Sequence, residues 1–424
     1  MKEQNVKRIA FFFYGYNLAE TTRAIEVASA LKKKEVEIEF FSHGGPHCIR
    51  PDEAGFKNTL MLPEVTEKQH KRFMDLDQGR ARGELYSPEE WVSFAGSEIE
   101  ILKKFKPDAV YAGFNLSSVL SARAVGCPLI FLVPAQAIKT YYQQKLGSFP
   151  EFMENAFTRI IPQGWKDSIF NYFMSKINYL PIDNINKAAD VLQIKRLENA
   201  FDILTGDLML LSDLEQITGM PAAVLPKNHY YMGPLFANLP MEVPAEVRKV
   251  FSGKEPKIFC AMGSSGSAEI LRVSLNALKK TDYRVVGAVT SIMDPEEFAP
   301  FSDRFYVTRY LPAAQVNELA DLAVTHGGQG TLQNSVWAGK PMVGVPFQFE
   351  QQMNLDMMVR AGIGIKIQMH EYTGERLLKE IRHILENPSY SENARRLSEV
   401  FRETDGAENA ANIIINYLKK RGSA

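Results

Sequence analysis

Twice along its 424 residues the chain alternates short buried-strand runs with helical patterns. In the first stretch Arg8–Phe13 reads as a strand, and the segment from Glu20 to Lys33 carries Ala24, Ile25, Val27, Ala28 and Leu31 on one helical face. Val36 to Phe41 follows as a second strand, then Ala109 to Tyr111, a helix over Ser118 to Val125 and a strand over Leu129 to Val133. The second stretch reads as strand Lys257 to Ala261, helix Ala268 to Leu278 and strand Val285 to Val289. It continues with strand Asp321 to Thr325, helix Thr331 to Ala338 and strand Met342 to Val345. Strands that are apolar throughout and separated by helices must be covered on both faces, which implies parallel sheets. The expected fold is therefore α/β, with two doubly wound, Rossmann-like domains facing each other across an interdomain cleft. Ligands of such sheets sit outside the carboxyl ends of the strands.

The spacing sets expected boundaries at 1–225 for the first domain, 226–250 for a linker and 251–424 for the second. Met220 to Pro244 holds Pro221, Pro226, Pro234, Pro240 and Pro244, which suits an extended connection. Between Ala137 and Leu204 the pattern turns to long helical stretches rich in aromatics, Trp165, Phe170 and Phe173 among them. Lys plus Arg total 49 against 50 for Asp plus Glu, a balance that argues against a nucleic-acid binder. Cys48, Cys127 and Cys260 are far apart and odd in number, so neither a disulfide framework nor a zinc site is expected. His43 and His47 are separated by Gly44-Gly45-Pro46 and lack a third ligand, so no metal is assigned. The apolar run Ile9 to Phe13 is too short for a signal-peptide core, and Asn115, Arg123 and Pro128 interrupt the greasiest region. A cytoplasmic protein is expected.

Chemistry is concentrated in His326-Gly327-Gly328-Gln329-Gly330-Thr331, between a strand and a helix. Glycines let backbone approach a ligand closely, and a helix start offers N–H groups to an anion. Thr331 is a phosphate donor, and His326 can donate to the same charge. Without Gly-Lys-Ser/Thr this is not a Walker loop, and Gly263 to Gly266 does not spell the dinucleotide fingerprint.

This stretch lies within Leu311-Pro312, Thr325 to Thr331, Gly339-Lys340-Pro341, Val345-Pro346, Glu350-Gln351, Asn354 and Gly362. Together with Gly233-Pro234-Leu235 and Met262-Gly263-Ser264-Ser265, the series resembles the family 1 nucleotide-sugar glycosyltransferases. The resemblance implies a GT-B fold whose second domain holds the donor. His326 would contact the diphosphate, with Gly328, Gly330 and Thr331 presenting donors to it. Tyr310 would lie against the nucleobase and the backbone of Leu311 would read its edge. Ser264 and Ser265 would close over the phosphates, and Glu350-Gln351 would hold the sugar hydroxyls. Read without the family, Tyr310 is equally a core aromatic and Glu350 a solvated loop acid.

Two departures stand out. Where relatives carry Glu for the ribose hydroxyls this chain has Asn334, which hydrogen-bonds without charge assistance. Where many relatives read Gly-His-x-x-Arg, with His as the base for the acceptor hydroxyl, this chain reads Ala19-Glu20-Thr21-Thr22-Arg23. Glu20 thus falls on the base position; its alternative is a first-turn acid that favours the helix dipole. His43 is the fallback base. The loop that often supplies an orienting Asp reads Ala112-Gly113-Phe114-Asn115, with no carboxylate.

The aromatic helices over 137–204 fall where relatives build an acceptor pocket; they suit a flat apolar acceptor, a shallow membrane contact or plain packing. The expected activity is an inverting, metal-independent transfer of a sugar from a UDP- or dTDP-sugar to a hydroxyl or carboxylate of an apolar small molecule or lipid. No cofactor is expected beyond the nucleotide-sugar donor itself. The rivals are a non-catalytic GT-B protein that binds nucleotide or regulates a partner and, disfavoured by the signature, a nucleotide-sugar epimerase.

Overall fold

The structure, a computed structural model, describes residues 6–77, 80–176, 181–236, 241–263 and 266–422. Seven strands form the first sheet: β1 (Arg8–Phe13), β2 (Glu37–Ser42), β3 (Lys57–Leu60), β4 (Ala109–Gly113), β5 (Leu129–Val133), β6 (Leu208–Leu211) and β7 (His229–Tyr231). Their order is β3-β2-β1-β4-β5-β6-β7, with every neighbouring pair parallel. Six strands form the second: β8 (Lys257–Ala261), β9 (Arg284–Ala288), β10 (Phe305–Thr308), β11 (Leu322–Thr325), β12 (Met342–Gly344) and β13 (Gly364–Lys366). Their order is β10-β9-β8-β11-β12-β13, again parallel throughout. Strand order reverses between β1 and β4 in one sheet and between β8 and β11 in the other. These are the switch points at which such sheets open a crevice for ligand.

Each unit has its own core. In the first, Phe11 stacks on Tyr111 across the β1–β4 pair with ring centroids 4.4 Å apart, and Phe40 lies 5.0 Å from Phe11 on the other side. Full burial of one such side chain contributes about 1.5–3 kcal/mol, so the three buried phenylalanines of β1 contribute substantially to this core. The helix Leu18–Lys32 covers this face, its start capped by Asn17, whose side chain accepts from the Glu20 backbone N–H at 3.2 Å. The helix Pro88–Phe105 begins with a Ser87–Glu90 capping box and ends at Lys106 in the left-handed region. In the second unit, Ile258, Val285, Val324, Val343 and Leu377 belong to one buried cluster.

By contact, the first unit comprises Met1–Gly147, Gly164–Ala237 and Asp405–Ala424, and the second Ser148–Gln163 and Asn238–Thr404. These bounds differ from the expected 225 and 250. The helix Gly406–Gly422 returns to the first core, where Ala410, Ala411, Ile414 and Leu418 are buried with Leu31 and Val27. One local expectation is corrected. The proline-rich linker contains β7, which among the described residues is an edge strand pairing with β6. Over 137–204 the described residues form the helices Lys139–Gln143, Gln163–Lys176 and Asp183–Val191, interleaved with 3₁₀ segments. Among the described residues no helix is long and apolar enough to cross a membrane.

Candidate functional site

At the switch point of the second sheet, β11 ends at Thr325 and His326, Gly327 and Gly328 lead into the helix Gln329–Trp337. Gly327 sits at φ +92°, and a Cβ there would lie 2.7 Å from the Gln351 carbonyl oxygen, so the turn needs glycine for conformation and for space. A Cβ on Gly328 would fall 2.6 Å from His326 Nε2, and one on Gly263 would fall 3.0 Å from His326 Cε1 and 3.7 Å from Thr331 Oγ1. The turns after β8 and β11 therefore converge on the imidazole, with Thr331 alongside. Gly328 is the N-cap and supplies no side-chain cap, so the dipole end and the first-turn N–H groups stay available to an anion. Gly330 is exposed, and a Cβ there would meet nothing within 4 Å.

His326 is buried, and burial pushes its pKa down to about 4, so at neutral pH it is an uncharged N–H donor. His229 in β7 is likewise lowered by burial, to about 4. In the unfolded chain both titrate near 6.5 and take up protons that the folded chain refuses. Stability is therefore complete above pH 6.5 and falls as the pH drops toward 4. For His326 alone the loss amounts to about 3 kcal/mol across that window. Urea midpoints at pH 7 and pH 5 should separate for the wild type, and the gap should narrow in His326→Gln; an unchanged gap would show that the imidazole titrates normally.

Around this turn the expected donor residues divide. Tyr310 is 55% exposed, so it is not a core aromatic, whereas Leu311 is buried. Asn334 is half-buried one turn beyond Thr331 on the same helix. Glu350 is exposed in the first turn of the helix Phe349–Arg360, where its Oε1 accepts from Asn354 Nδ2 at 3.1 Å. Gln351 is buried. Its side-chain Oε1 accepts from the Phe347 N–H at 2.8 Å and its side-chain Nε2 donates to Gln348, so it braces the loop after β12. Ser264 and Ser265 lie outside the described residues. Asn354, to which sequence reasoning gave no role, also donates to the Gly327 carbonyl at 3.0 Å and so pins the glycine turn to the neighbouring helix.

At the switch point of the first sheet, Tyr14 follows β1 and Asn115 follows β4. Both line a small aromatic-walled cavity with His43, Phe73, Phe94 and Phe114. The cavity, about 20 Å³, has room for about one water. Tyr14 Oη lies 3.0 Å from His70 Nδ1, and His70 stacks on Tyr16 with centroids 4.3 Å apart. Behind the wall is a buried carboxylate that sequence reasoning missed. Glu98 accepts from Asn115 Nδ2 at 2.7 Å and from the hydroxyls of Ser117 and Ser121. The helix Pro88–Phe105 thus places a buried carboxylate against Asn115 of the 112–115 loop. The signal was present: Trp91, Phe94, Ala95, Glu98 and Leu102 occupy one helical stripe, and an acid on that stripe must be buried.

The two candidate bases stand differently. His43 is buried, with Nδ1 2.8 Å from the Pro63 carbonyl and Nε2 3.4 Å from Glu98 Oε1. A carbonyl can only accept, so Nδ1 carries a proton, and Nε2 faces the Glu98 carboxylate. Glu20 is 8% exposed in the first helical turn, and its Oε1 meets Arg23 Nη1 at 3.2 Å, one turn on. Arg23 fixes the carboxylate's direction. Among the described residues no group of three His, Cys, Asp or Glu side chains is arranged to hold a metal.

With this geometry in view, the similarities to known proteins agree. Residues 304–406 match the family described as UDP-glucoronosyl and UDP-glucosyl transferase. The chain is 23% identical over 402 residues to a PGL/p-HBAD biosynthesis glycosyltransferase of Mycobacterium tuberculosis, spanning 93% of this chain and 89% of that protein. It is 24% identical over 413 residues to a PGL/p-HBAD biosynthesis rhamnosyltransferase of Mycobacterium bovis, spanning 93% and 84%. Among solved structures, the calicheamicin glycosyltransferase CalG4 superposes with a TM-score of 0.70 at 16% identity, over 98% of this chain and 99% of that one. The glycosyltransferase VinC in complex with dTDP gives 0.67 at 14%, over 97% and 100%. These superpositions establish the GT-B fold.

Proposed function

On the premise that the chain is a glycosyltransferase of the family 1 kind with a GT-B fold, we propose that it transfers a sugar from a nucleoside diphosphate donor to an apolar acceptor, with inversion and without a metal. The observation that carries this reading is the glycine turn at the β8–β11 switch point. There His326, Thr331 and an N-cap with no side chain converge on one place. Departure of the nucleoside diphosphate builds negative charge on its phosphate oxygens. A neutral imidazole N–H, a hydroxyl and the positive end of a helix stabilise that charge without a cation.

Asn334 favours a thymidine nucleotide among the candidate donors. Two vicinal ribose hydroxyls match the two oxygens of a carboxylate, whereas deoxyribose keeps one ring hydroxyl, for which a neutral amide suffices. Two structural neighbours were solved with a thymidine diphosphate, and one of the two mycobacterial relatives is named a rhamnosyltransferase. The cavity lined by Tyr14 and Phe114 holds about one water, so the acceptor's apolar character rests on the family resemblance rather than on that cavity. In this reading Glu20 removes the proton from an acceptor hydroxyl while Arg23 keeps its carboxylate aimed. His43, occupied at both nitrogens, is the weaker candidate.

The second reading, a nucleotide-binding GT-B protein without turnover, is favoured by one observation: both candidate bases already have protein partners. Release of nucleoside diphosphate from dTDP- and UDP-hexoses, with a phenolic acceptor and with EDTA present, distinguishes the two. Release well above the buffer blank, with the anomeric configuration inverted in the product, is expected. Saturable binding with no release supports the second reading. Activity that collapses in EDTA and returns with magnesium would overturn the metal-free mechanism.

A further inference from the structure

The helix Gln163–Lys176 is turned inside out. Its inward positions are polar: Lys166 is 6% exposed, Asn171 2% and Ser175 7%, with Met174 as the buried apolar exception. Its outward positions are apolar: Trp165 is 70% exposed, Ile169 53%, Tyr172 60% and Phe173 47%. The spacing of 165, 169, 172 and 173 places these four on one face. A chance excess of apolar residues would not reverse both faces together. The inward face is also held by specific bonds. Asn171 Oδ1 accepts from the Gly147 N–H at 3.0 Å, and Asn171 Nδ2 donates to the Gly147 carbonyl at 2.6 Å. Rotating the helix to hide its apolar face would break this bracket and leave a buried amide and backbone unsatisfied. The outward aromatic stripe is therefore fixed by the fold.

A contiguous apolar face on a monomer marks an interaction surface. Its composition and its charge indicate the occupant. Trp and Tyr carry an apolar ring and a polar tip, the combination favoured at the boundary between lipid headgroups and acyl chains. The charge on the face itself is cationic: Lys176, on the same helical face as Trp165, Ile169 and Tyr172, is exposed. The helix's own acid, Asp167, is half-buried. We propose that this helix is a docking surface for an anionic lipid bilayer, lying in the plane of the headgroups with Trp165, Ile169, Tyr172 and Phe173 inserted and Lys176 against lipid phosphate. The proposal is independent of the sugar-transfer reading, because it needs no donor, acceptor or turnover.

Sedimentation with vesicles of phosphatidylcholine containing half phosphatidylglycerol, in the absence of nucleotide, tests it on the whole chain. Wild type should bind these vesicles, and bind pure phosphatidylcholine more weakly. The bound-to-free ratio should fall by roughly tenfold or more in Trp165→Gln/Phe173→Gln. The calorimetric affinity for dTDP, read in parallel, should match wild type and so certify the fold and the donor site. Equal vesicle binding by wild type and variant would overturn the proposal, as would no binding by wild type. A concentration-dependent dimer in sedimentation velocity that the double substitution abolishes would also overturn it, by assigning the face to a second copy of the chain.

Discussion

Glutamine in place of Glu20 should lower turnover on a hydroxyl acceptor by roughly 10²–10⁴-fold while donor nucleotide binding stays at its wild-type level. The substitution is close to isosteric, and the Asn17 cap bonds the backbone N–H of residue 20, so the helix start is retained. The amide oxygen can still accept from Arg23, so the 3.2 Å contact survives in weaker form. What disappears is the capacity to take a proton. The sign of the pH effect follows from the same chemistry. The ionised carboxylate is the working form, so wild-type turnover falls as the medium becomes acid enough to protonate it, whereas the residual rate of the variant lacks that acid limb. An acceptor that is itself a carboxylate needs no base and should be processed by both proteins alike. Near-normal turnover of Glu20→Gln on a hydroxyl acceptor would reduce Glu20 to a first-turn acid held by the dipole and Arg23.

How much of this was legible in the sequence depended on whether a residue's role is local. β1, β5 and β8 have the bounds that their apolar runs suggested, because a strand buried on both faces has a signature in its own few residues. The glycine turn was equally plain, since steric need at Gly327 and Gly328 acts within the turn and on its nearest neighbours. The roles of Gln351 and Asn354 were not, because they depend on partners across the fold: Gln348 and Phe347 for one, the Gly327 carbonyl for the other. The helix Gly406–Gly422 shows the same limit from another side. Its period announces an apolar face but does not name the surface it covers; that the last helix packs back on the first domain is an expectation from the family resemblance, and its buried residues lie with those of β1 and its covering helix. Between 137 and 204 aromatic periodicity suggested long helices. Pro150 and Pro162 and the turns around them interrupt the segment, and one helix is reversed, with its polar side inward. A pattern rule that assigns apolar residues to the interior fails there, because the outward apolar face is held in place by polar bonds on the other side.

At the donor site, alanine in place of His326 should weaken nucleoside diphosphate binding by about 1.5–3 kcal/mol, or roughly 10- to 150-fold in Kd. The imidazole is buried between the turns after β8 and β11, and desolvation keeps it neutral, so one N–H is what it offers to a phosphate oxygen. Because truncating a buried ring also leaves a void, the result needs a partner that leaves the core untouched. Gly330→Leu supplies it. A Cβ at Gly330 would meet no atom within 4 Å, and replacing glycine inside a helix favours folding by up to about 1 kcal/mol. A donor lying on the helix N-terminus would occupy the space that the new side chain fills. The expected result is a protein that unfolds at or slightly above the wild-type temperature yet binds dTDP at least roughly tenfold more weakly, by calorimetry. If Gly330→Leu binds dTDP as wild type does while His326→Ala loses both affinity and stability, the imidazole is a core group and the phosphates lie elsewhere. Loss of affinity in both, with stability lost in His326→Ala alone, places the diphosphate between the imidazole and the first turn of the helix.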